Sequence, residues 1–286
     1  MSGSFTPDFD GFRLRLEKKS FIFLFKIGEK TTKQTWDSGF ASFYDHPFLG
    51  ETLQDCSFFH FKPRFLFRPK TTEQLQAIVQ AAYQSQMPLS FAGGKTGLSG
   101  GYATPYALVD LEALATLNTP YLLDLQEKRL IVDQNVLVSD MIAAVHFHSK
   151  GVLMFPVQPS SALKLPVRIG GIIATNASGL AAGKLGATEK WLESFEIMTP
   201  IGEIKIITPK SAEFYDYVGT DGRNGVILNA VFRLSDVAQN LMYRVLYGAQ
   251  LEEVFQGLQA IQEERIFPLT SEFIMANHNL PGLFGQ

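Results

Sequence analysis

Met87-Pro88-Leu89-Ser90-Phe91-Ala92 runs directly into Gly93-Gly94-Lys95-Thr96-Gly97-Leu98-Ser99-Gly100-Gly101. The first six residues read as a strand, whereas the next nine hold five glycines and cannot continue one. Upstream, Arg64-Phe65-Leu66-Phe67-Arg68-Pro69 reads as a short strand closed by proline. Thr71 stands three residues before Gln74, which is capping-box spacing. Leu75, Ile78, Val79 and Ala82 follow on one face of a helix. Downstream, Ala107-Leu108-Val109-Asp110-Leu111 is the next strand. Strand, helix, strand at this spacing predicts a small βαβ unit with a parallel pair, whose second strand delivers the glycine loop.

Clustered glycines allow positive φ and let a ligand approach the main chain without hindrance from Cβ atoms. Successive amides in such a turn form an anion-binding nest, and a diphosphate suits it because it needs many short N–H donors. Three rival motifs share these residues. Gly94-Lys95-Thr96 ends like a Walker A loop, but that motif needs a glycine where Leu89 stands. A GxGxxG dinucleotide fingerprint is absent. Gly97-x-Ser99-x-Gly101 matches a nucleophile elbow and keeps a serine-hydrolase alternative with Ser99, although the elbow needs a helix where Tyr102-Ala103-Thr104-Pro105 follows. A glycine turn without a ligand is the plainest alternative, and five glycines together rarely serve packing alone.

Two further segments add to the ligand reading. Pro156-Val157-Gln158-Pro159-Ser160-Ser161 precedes Ile169-Gly170-Gly171-Ile172-Ile173-Ala174-Thr175-Asn176-Ala177-Ser178-Gly179. Gly170-Gly171 suits the start of a helical turn with outward amides, and Thr175, Asn176 and Ser178 add donors. Gly219-Thr220-Asp221-Gly222-Arg223-Asn224-Gly225-Val226-Ile227 is another glycine turn entering a strand. Between these landmarks, Arg129–Asp133 reads as a strand, and Ser139 as N-cap of a helix through Met141, Ile142 and Val145. Residues 156–186 are poor in regular signals. Residues 194–207 form a hairpin around Thr199-Pro200-Ile201-Gly202, and Val226–Leu234 is a strand. Past a boundary near 238 the expectation is a strand near 242–246, a helix near 251–264 and a strand near 268–274.

Composition narrows the function classes. Among 286 residues, Lys and Arg number 25 against 28 Asp and Glu, a net charge of −3, which gives no general attraction for nucleic acid. The single Cys56 cannot form an internal disulfide or a CxxC metal site and fits a reducing, cytoplasmic setting. No apolar run is long enough for a membrane span; Phe21-Ile22-Phe23-Leu24-Phe25 stops at Lys26 and reads as a buried strand. The first 67 residues hold 14 of the 24 phenylalanines and read as an irregular leader packed on the rest, with an exposed aromatic contact for an oligomer or membrane surface as the alternative. His146 and His148 lie two apart on a predicted helix and cannot chelate together, while His46, His60 and His278 lack companions at ligand spacing; no metal site is expected.

The ordered pieces resemble the PCMH-type FAD-binding domain of the vanillyl-alcohol oxidase superfamily, in the branch of D-lactate dehydrogenase and the flavin-carrying subunit of glycolate oxidase. That family reads as a strand ending in proline, T-x-E, GGGTGLSGG, VDL, PxDPxS, IGGxxATNAxG, KYGxT, PxGE and GSEGxxGI. Here these stand at Arg68-Pro69, Thr71-Thr72-Glu73, Gly93–Gly101, Val109-Asp110-Leu111, Pro156–Ser161, Ile169–Gly179, Lys184-Leu185-Gly186-Ala187-Thr188, Pro200-Ile201-Gly202-Glu203 and Gly219–Ile227. The resemblance implies an α+β fold of two subdomains, a small βαβ sheet plus a mostly antiparallel sheet, followed by the start of an α+β cap. It divides the chain into a leader over 1–61, the FAD-binding domain over 62–238 and a partial cap over 239–286.

The same resemblance implies a flavoprotein oxidising a 2-hydroxy acid such as D-lactate or glycolate by hydride transfer to FAD. It implies that Gly93, Gly94, Lys95, Thr96, Gly97, Leu98, Ser99 and Gly100 hold the pyrophosphate through backbone amides. Pro159 and Ser160 would line the flavin-side channel. Gly170, Gly171, Thr175, Asn176, Ser178 and Gly179 would contact the diphosphate, ribityl chain and ring. Gly186 would let the backbone pass close to the ring, and Val226 and Ile227 would contact the cofactor through their main chain. No histidine stands in or near the glycine loop, so FAD is expected to be non-covalent. Catalytic residues stay unassigned, and a partner subunit or electron acceptor is part of the same implication; an alternative is a catalytically incomplete flavin-binding module or one half of a split enzyme. The chain departs from the pattern at Val132-Asp133-Gln134-Asn135-Val136, where the family has VEPGV, at Phe91-Ala92 before the loop, and at Arg223-Asn224.

Overall fold

A computed structural model of the protein describes residues 7–17, 56, 57, 59, 61, 63–238 and 251–265. The fold is two α+β lobes. The small lobe holds β1 (Phe65–Phe67), α2 (Thr72–Gln84), β2 (Leu89–Ala92) and β3 (Ala107–Asp110). Its three strands run in the order β1-β3-β2, and every pair is parallel. The helix therefore links the two outer strands, and β3 inserts between them rather than extending the sheet. A central parallel strand is covered on both faces, which is why all four residues of β3 are buried.

Helix α2 starts where the sequence predicts. Thr71 Oγ1 accepts from the Gln74 amide at 3.4 Å, and Gln74 Oε1 accepts from the Thr71 amide at 3.3 Å. Leu75, Ile78, Val79 and Ala82 are all buried against the sheet. Each large side chain buried this way contributes about 1.5–3 kcal/mol.

The large lobe is a five-stranded antiparallel sheet in the order β4-β5-β9-β7-β8. Its strands are β4 (Tyr121–Asp124), β5 (Arg129–Asp133), β7 (Leu192–Met198), β8 (Ile204–Ile207) and β9 (Val226–Arg233). The predicted 194–207 hairpin is β7–β8; the Gly202 amide donates to Thr199 O at 2.9 Å, and φ of +86° there favours glycine. Helix α3 (Val138–His148) and the short α4 (Ile169–Ala174) cover this sheet. Phe155, Phe195 and Phe232 are fully enclosed in that core, Phe155 meeting Phe232 edge-to-face at 5.2 Å. The expected Ser139 cap is not used. Leu137 holds the cap position without a side-chain bond, because a bridge from Leu137 to Arg168 and the Val138 amide on Val167 O at 2.9 Å lead the chain into the helix. Residues 156–186, expected to be irregular, contain α4, α5 (Ala182–Leu185) and a 3-10 turn over Ser160–Leu163.

The lobes share a core: Met198, Val226 and Leu228 of the large sheet pack with Phe65, Phe67, Leu75, Ile78 and Val109. Part of the leader joins it. Residues Phe9–Glu17 form α1, a regular helix where an irregular segment was expected, because Asp8 Oδ1 accepts from the Gly11 amide at 2.8 Å and caps the turn. Phe12 is fully buried between Phe65 and Phe67, at 5.5 and 5.8 Å, whereas Phe59 and Phe61 are about half exposed. The rest of the leader and the strands expected at 242–246 and 268–274 lie outside the described residues. The helix expected near 251–264 is α7 (Leu251–Glu263). Strands β6 (Leu153–Met154) and β10 (Ser235–Asp236) form an antiparallel pair, and α6 (Phe214–Tyr217) leads into the 219–225 turn, where the Thr220 hydroxyl donates to Tyr217 O at 3.2 Å and the Asn224 side-chain amide to Asp216 O at 2.7 Å.

Candidate functional site

The glycine loop leaves the C-terminal end of β2 at the seam between the lobes. From Gly93 through Gly101, no main-chain N–H meets an acceptor among the described residues. The loop is half-buried over most of its length, with Leu98, Ser99 and Gly101 exposed. A run of free donors in a partly enclosed loop calls for an external acceptor, since buried amides are otherwise paired. A Cβ added at Gly93 or Gly97 would meet nothing within 4 Å, so the glycines there keep space open. Gly94 serves the opposite purpose: a Cβ there would lie 1.8 Å from Pro166 O, so the absence of a side chain lets Pro166 and Val167 lie against the loop.

The other segments converge on the same place. Gly101 faces Asp221, where an added Cβ would lie 3.4 Å from the Asp221 Cβ, and Gly219 faces Asn176, where it would lie 3.3 Å from the Asn176 Cβ. The Asp221 amide donates to Ala174 O at 2.9 Å, tying the 219–225 turn to the end of α4. Gly179 lies against Gln158, 2.4 Å from its nitrogen to a built Cβ, which brings Pro159 and Ser160 beside Ser178 and Gly179. Of the two amides expected to be free on α4, only one is: Gly170 N donates to Gln134 O at 2.8 Å, while Gly171 N has no acceptor among the described residues and its Cα faces open space.

The side chains are less uniform than their motif suggests. The Thr175 hydroxyl donates to Gly171 O at 2.8 Å. Asn176, at φ +46°, is engaged with Glu189 through bonds of 2.8 and 3.0 Å, so it orders the turn. The hydroxyls of Thr96, Ser99, Ser160 and Ser178 have no partner among the described residues. Gly186 takes φ +77° at the end of α5, and its Cβ would meet Lys190 Cδ at 2.6 Å; its glycine is required by the turn itself. The side chains of Val226 and Ile227 are buried in the two cores. The β5 register ends at Asp133–Asn229, which leaves the main chain of Val226 and Ile227 unladdered on that edge.

No helix follows Ser99, as the chain turns through Tyr102 instead, so the strand–turn–helix of a nucleophile elbow is missing. Among the described residues no group of His, Cys, Asp and Glu is arranged to hold a metal, and exposed His146 and His148 lie at the end of α3, remote in sequence from the loop. A cavity of about 900 Å³ lies toward the start of β2, lined by Val79, Tyr83, Met87, Leu89 and Met198 among others; it meets the 219–227 turn at Arg223, Gly225 and Val226 and none of the Gly93–Gly101 loop.

Two polar clusters were not foreseen. Asp110, 2% exposed, holds Arg68 at 3.1 Å and Lys95 at 3.4 Å on one carboxylate oxygen. Asp133, also 2% exposed, accepts from the amides of Thr116 and Leu117 at 2.6 and 3.0 Å. The Thr116 hydroxyl reaches both Asp133 and Leu228 O, and Gln134 and Asn135 side-chain amides donate to Leu111 O and Leu114 O. Asp133-Gln134-Asn135 thus pins the inter-lobe linker with hydrogen bonds where the resembling family places a Pro-Gly turn.

Residues 63–208 match the family model of an FAD binding domain. The chain belongs to that family. D-2-hydroxyglutarate dehydrogenase of Xanthomonas citri pv. viticola is 30% identical over 182 residues, covering 61% of this chain and 37% of that protein. Glycolate oxidase subunit GlcD of Bacillus subtilis is 28% identical over 222 residues, covering 74% and 45%. Among solved structures, alkyldihydroxyacetonephosphate synthase superposes with a TM-score of 0.58 at 20% identity, over 73% of this chain and 38% of that one, which shows the shared fold. The chain spans about 37–45% of the length of these two curated relatives. FAD is the cofactor of this domain, and the residues present fit it: the free amides of Gly93–Gly101 match a diphosphate's need for donors, and open space lies over Gly93, Gly97 and Gly171. No helix among the described residues is long and apolar enough to cross a membrane.

Proposed function

We propose that this chain is the FAD-carrying part of an oxidoreductase acting on a 2-hydroxy acid such as D-lactate, glycolate or D-2-hydroxyglutarate. The observation that carries the reading is the run of unpaired main-chain donors from Gly93 to Gly101, brought against Pro166 and Asp221 at the lobe seam. The names of the relatives supply the substrate class. When bound, the flavin supplies acceptance of two electrons from a carbon–hydrogen bond.

The chain's own part is binding and orientation. The loop amides hold the diphosphate, with the Thr96 and Ser99 hydroxyls beside them. Gly171, Thr175 and Ser178, with Pro159 and Ser160, border the path toward the ring. The main chain of Val226 and Ile227 meets the nucleotide end. Neither histidine nor cysteine stands in the loop, so attachment is non-covalent.

Two measurements on the purified chain test this. FAD titrated into the apoprotein is expected to bind and to be released by acid. Anaerobic addition of D-lactate, glycolate or D-2-hydroxyglutarate is then expected to bleach the flavin absorbance. FAD uptake without bleaching by any of them leaves a flavin-binding module that works with a partner. A folded chain that takes up no FAD ends the proposal, and labelling of Ser99 by a fluorophosphonate would replace it with a hydrolase.

A further inference from the structure

Lys95 is the one non-glycine residue of the loop in the left-handed region, at φ +57°. An L-residue there costs about 1–2 kcal/mol relative to an ordinary conformation, and glycine would avoid the cost. The side chain is 20% exposed, and its only partner among the described residues is Asp110 Oδ2, at 3.4 Å. That carboxylate does not depend on it. Arg68 reaches the same oxygen through Nη2 at 3.1 Å and Nε at 3.2 Å, and the Glu112 amide donates to Oδ1 at 3.1 Å. Lys95 is therefore the longest contact on an already satisfied anion, and it can leave without stranding a buried charge. It sits among nine residues whose amides have no acceptor among the described residues.

We infer that the Lys95 ammonium is an ionic contact for the cofactor's diphosphate, held on Asp110 until the anion arrives. This rests on the reading of the loop as an FAD site and adds to the amides a charge-assisted bond with a salt dependence of its own. Asp110 orients the lysine, and Arg68 keeps Asp110 neutralised after the transfer.

The test titrates the full chain with FAD and, separately, with ADP, a diphosphate without flavin, at low and high ionic strength. Lys95→Arg, Lys95→Met and Lys95→Gly are compared with the wild type. Lys95→Met is expected to weaken FAD and ADP alike by about tenfold at low salt and to flatten the salt dependence, while Lys95→Arg keeps both. Lys95→Gly relieves the left-handed backbone, so it is expected to melt at or above the wild-type temperature while losing the same affinity, which separates charge from folding. Lys95→Met that binds FAD and ADP as tightly as wild type, with the same salt dependence, overturns this inference alone. A folded wild type that takes up neither ligand overturns the FAD reading as well.

Discussion

Asp133 is the residue whose removal tests the architecture most directly. Its carboxylate is buried, and Oδ2 receives the amides of Thr116 and Leu117 at 2.6 and 3.0 Å. The Thr116 hydroxyl has a single proton and reaches Leu228 O at 2.8 Å, so it can satisfy itself without Asp133. Asp133 Oδ1 accepts from the Asn135 amide at 3.3 Å, so truncation in Asp133→Ala strands three main-chain donors. At about 1–3 kcal/mol for each unsatisfied donor, the loss is about 3–9 kcal/mol. That is a large share of a typical folding free energy of about 5–15 kcal/mol. With a urea slope of about 2–3 kcal/mol/M, the unfolding midpoint should fall by roughly 1–4 M. Asp133→Asn keeps one acceptor oxygen at the same reach and should fall by about half as much. Circular dichroism and tryptophan fluorescence during urea titration read both variants. A midpoint within about 0.3 M of wild type for Asp133→Ala would show that the linker carries no such clasp.

The loop glycines and the first helix of the small lobe give further tests. Gly97→Ala puts a methyl into space where nothing lies within 4 Å, so thermal melting should match wild type while FAD affinity drops at least tenfold; undiminished affinity would mean the loop is not the binding surface. Gly94→Ala drives a Cβ to 1.8 Å from the Pro166 carbonyl, which is main chain and cannot rotate away, so both melting temperature and FAD uptake should fall, and an unchanged melting temperature contradicts the packing. Thr71→Ala removes the α2 cap and should cost about 1 kcal/mol at neutral pH. The Thr71 hydroxyl, followed by the backbone amide of Glu73, holds the Glu73 carboxyl below its usual 4.5. A lowered folded-state value stabilises above 4.5 and is lost as pH falls through that folded-state value. The Thr71→Ala deficit in urea midpoint should therefore shrink on acidification, and a deficit constant with pH refutes the contact.

What the sequence disclosed follows the range of the forces involved. Helix α2 and its cap were readable because every determinant lies within the helix or its first turn. The glycine loop was readable because backbone freedom is written as a residue type. Strand β4 was missed because its residues alternate between half-buried and exposed at a sheet edge, with no apolar period to betray it. Helix α1 was missed because two masked signals overlap: Asp8 caps it locally, while Phe9 and Phe12 look like the surrounding scatter of phenylalanines until Phe65 and Phe67 are in place. The Asp133 clasp could not be read at all. Its donors are main-chain amides 16 and 17 residues away, and an amide leaves no mark on the sequence.

The same distinction explains where function sits in this fold. Anion binding by main-chain groups constrains the sequence mostly through what must be absent, and within the loop Lys95 is the non-glycine residue at a left-handed position. The loop amides are useful only while Pro166 and Asp221 hold their walls in place. Those walls belong to the large lobe, whereas the loop hangs from the small one. Alignment of the two therefore depends on the linker after β3, which Asp133, Gln134 and Asn135 tie down from the end of β5. In this chain hydrogen bonds take over a turn that proline and glycine make in the resembling family, so the geometry of the proposed diphosphate site rests on polar contacts about which the loop's own residues say nothing.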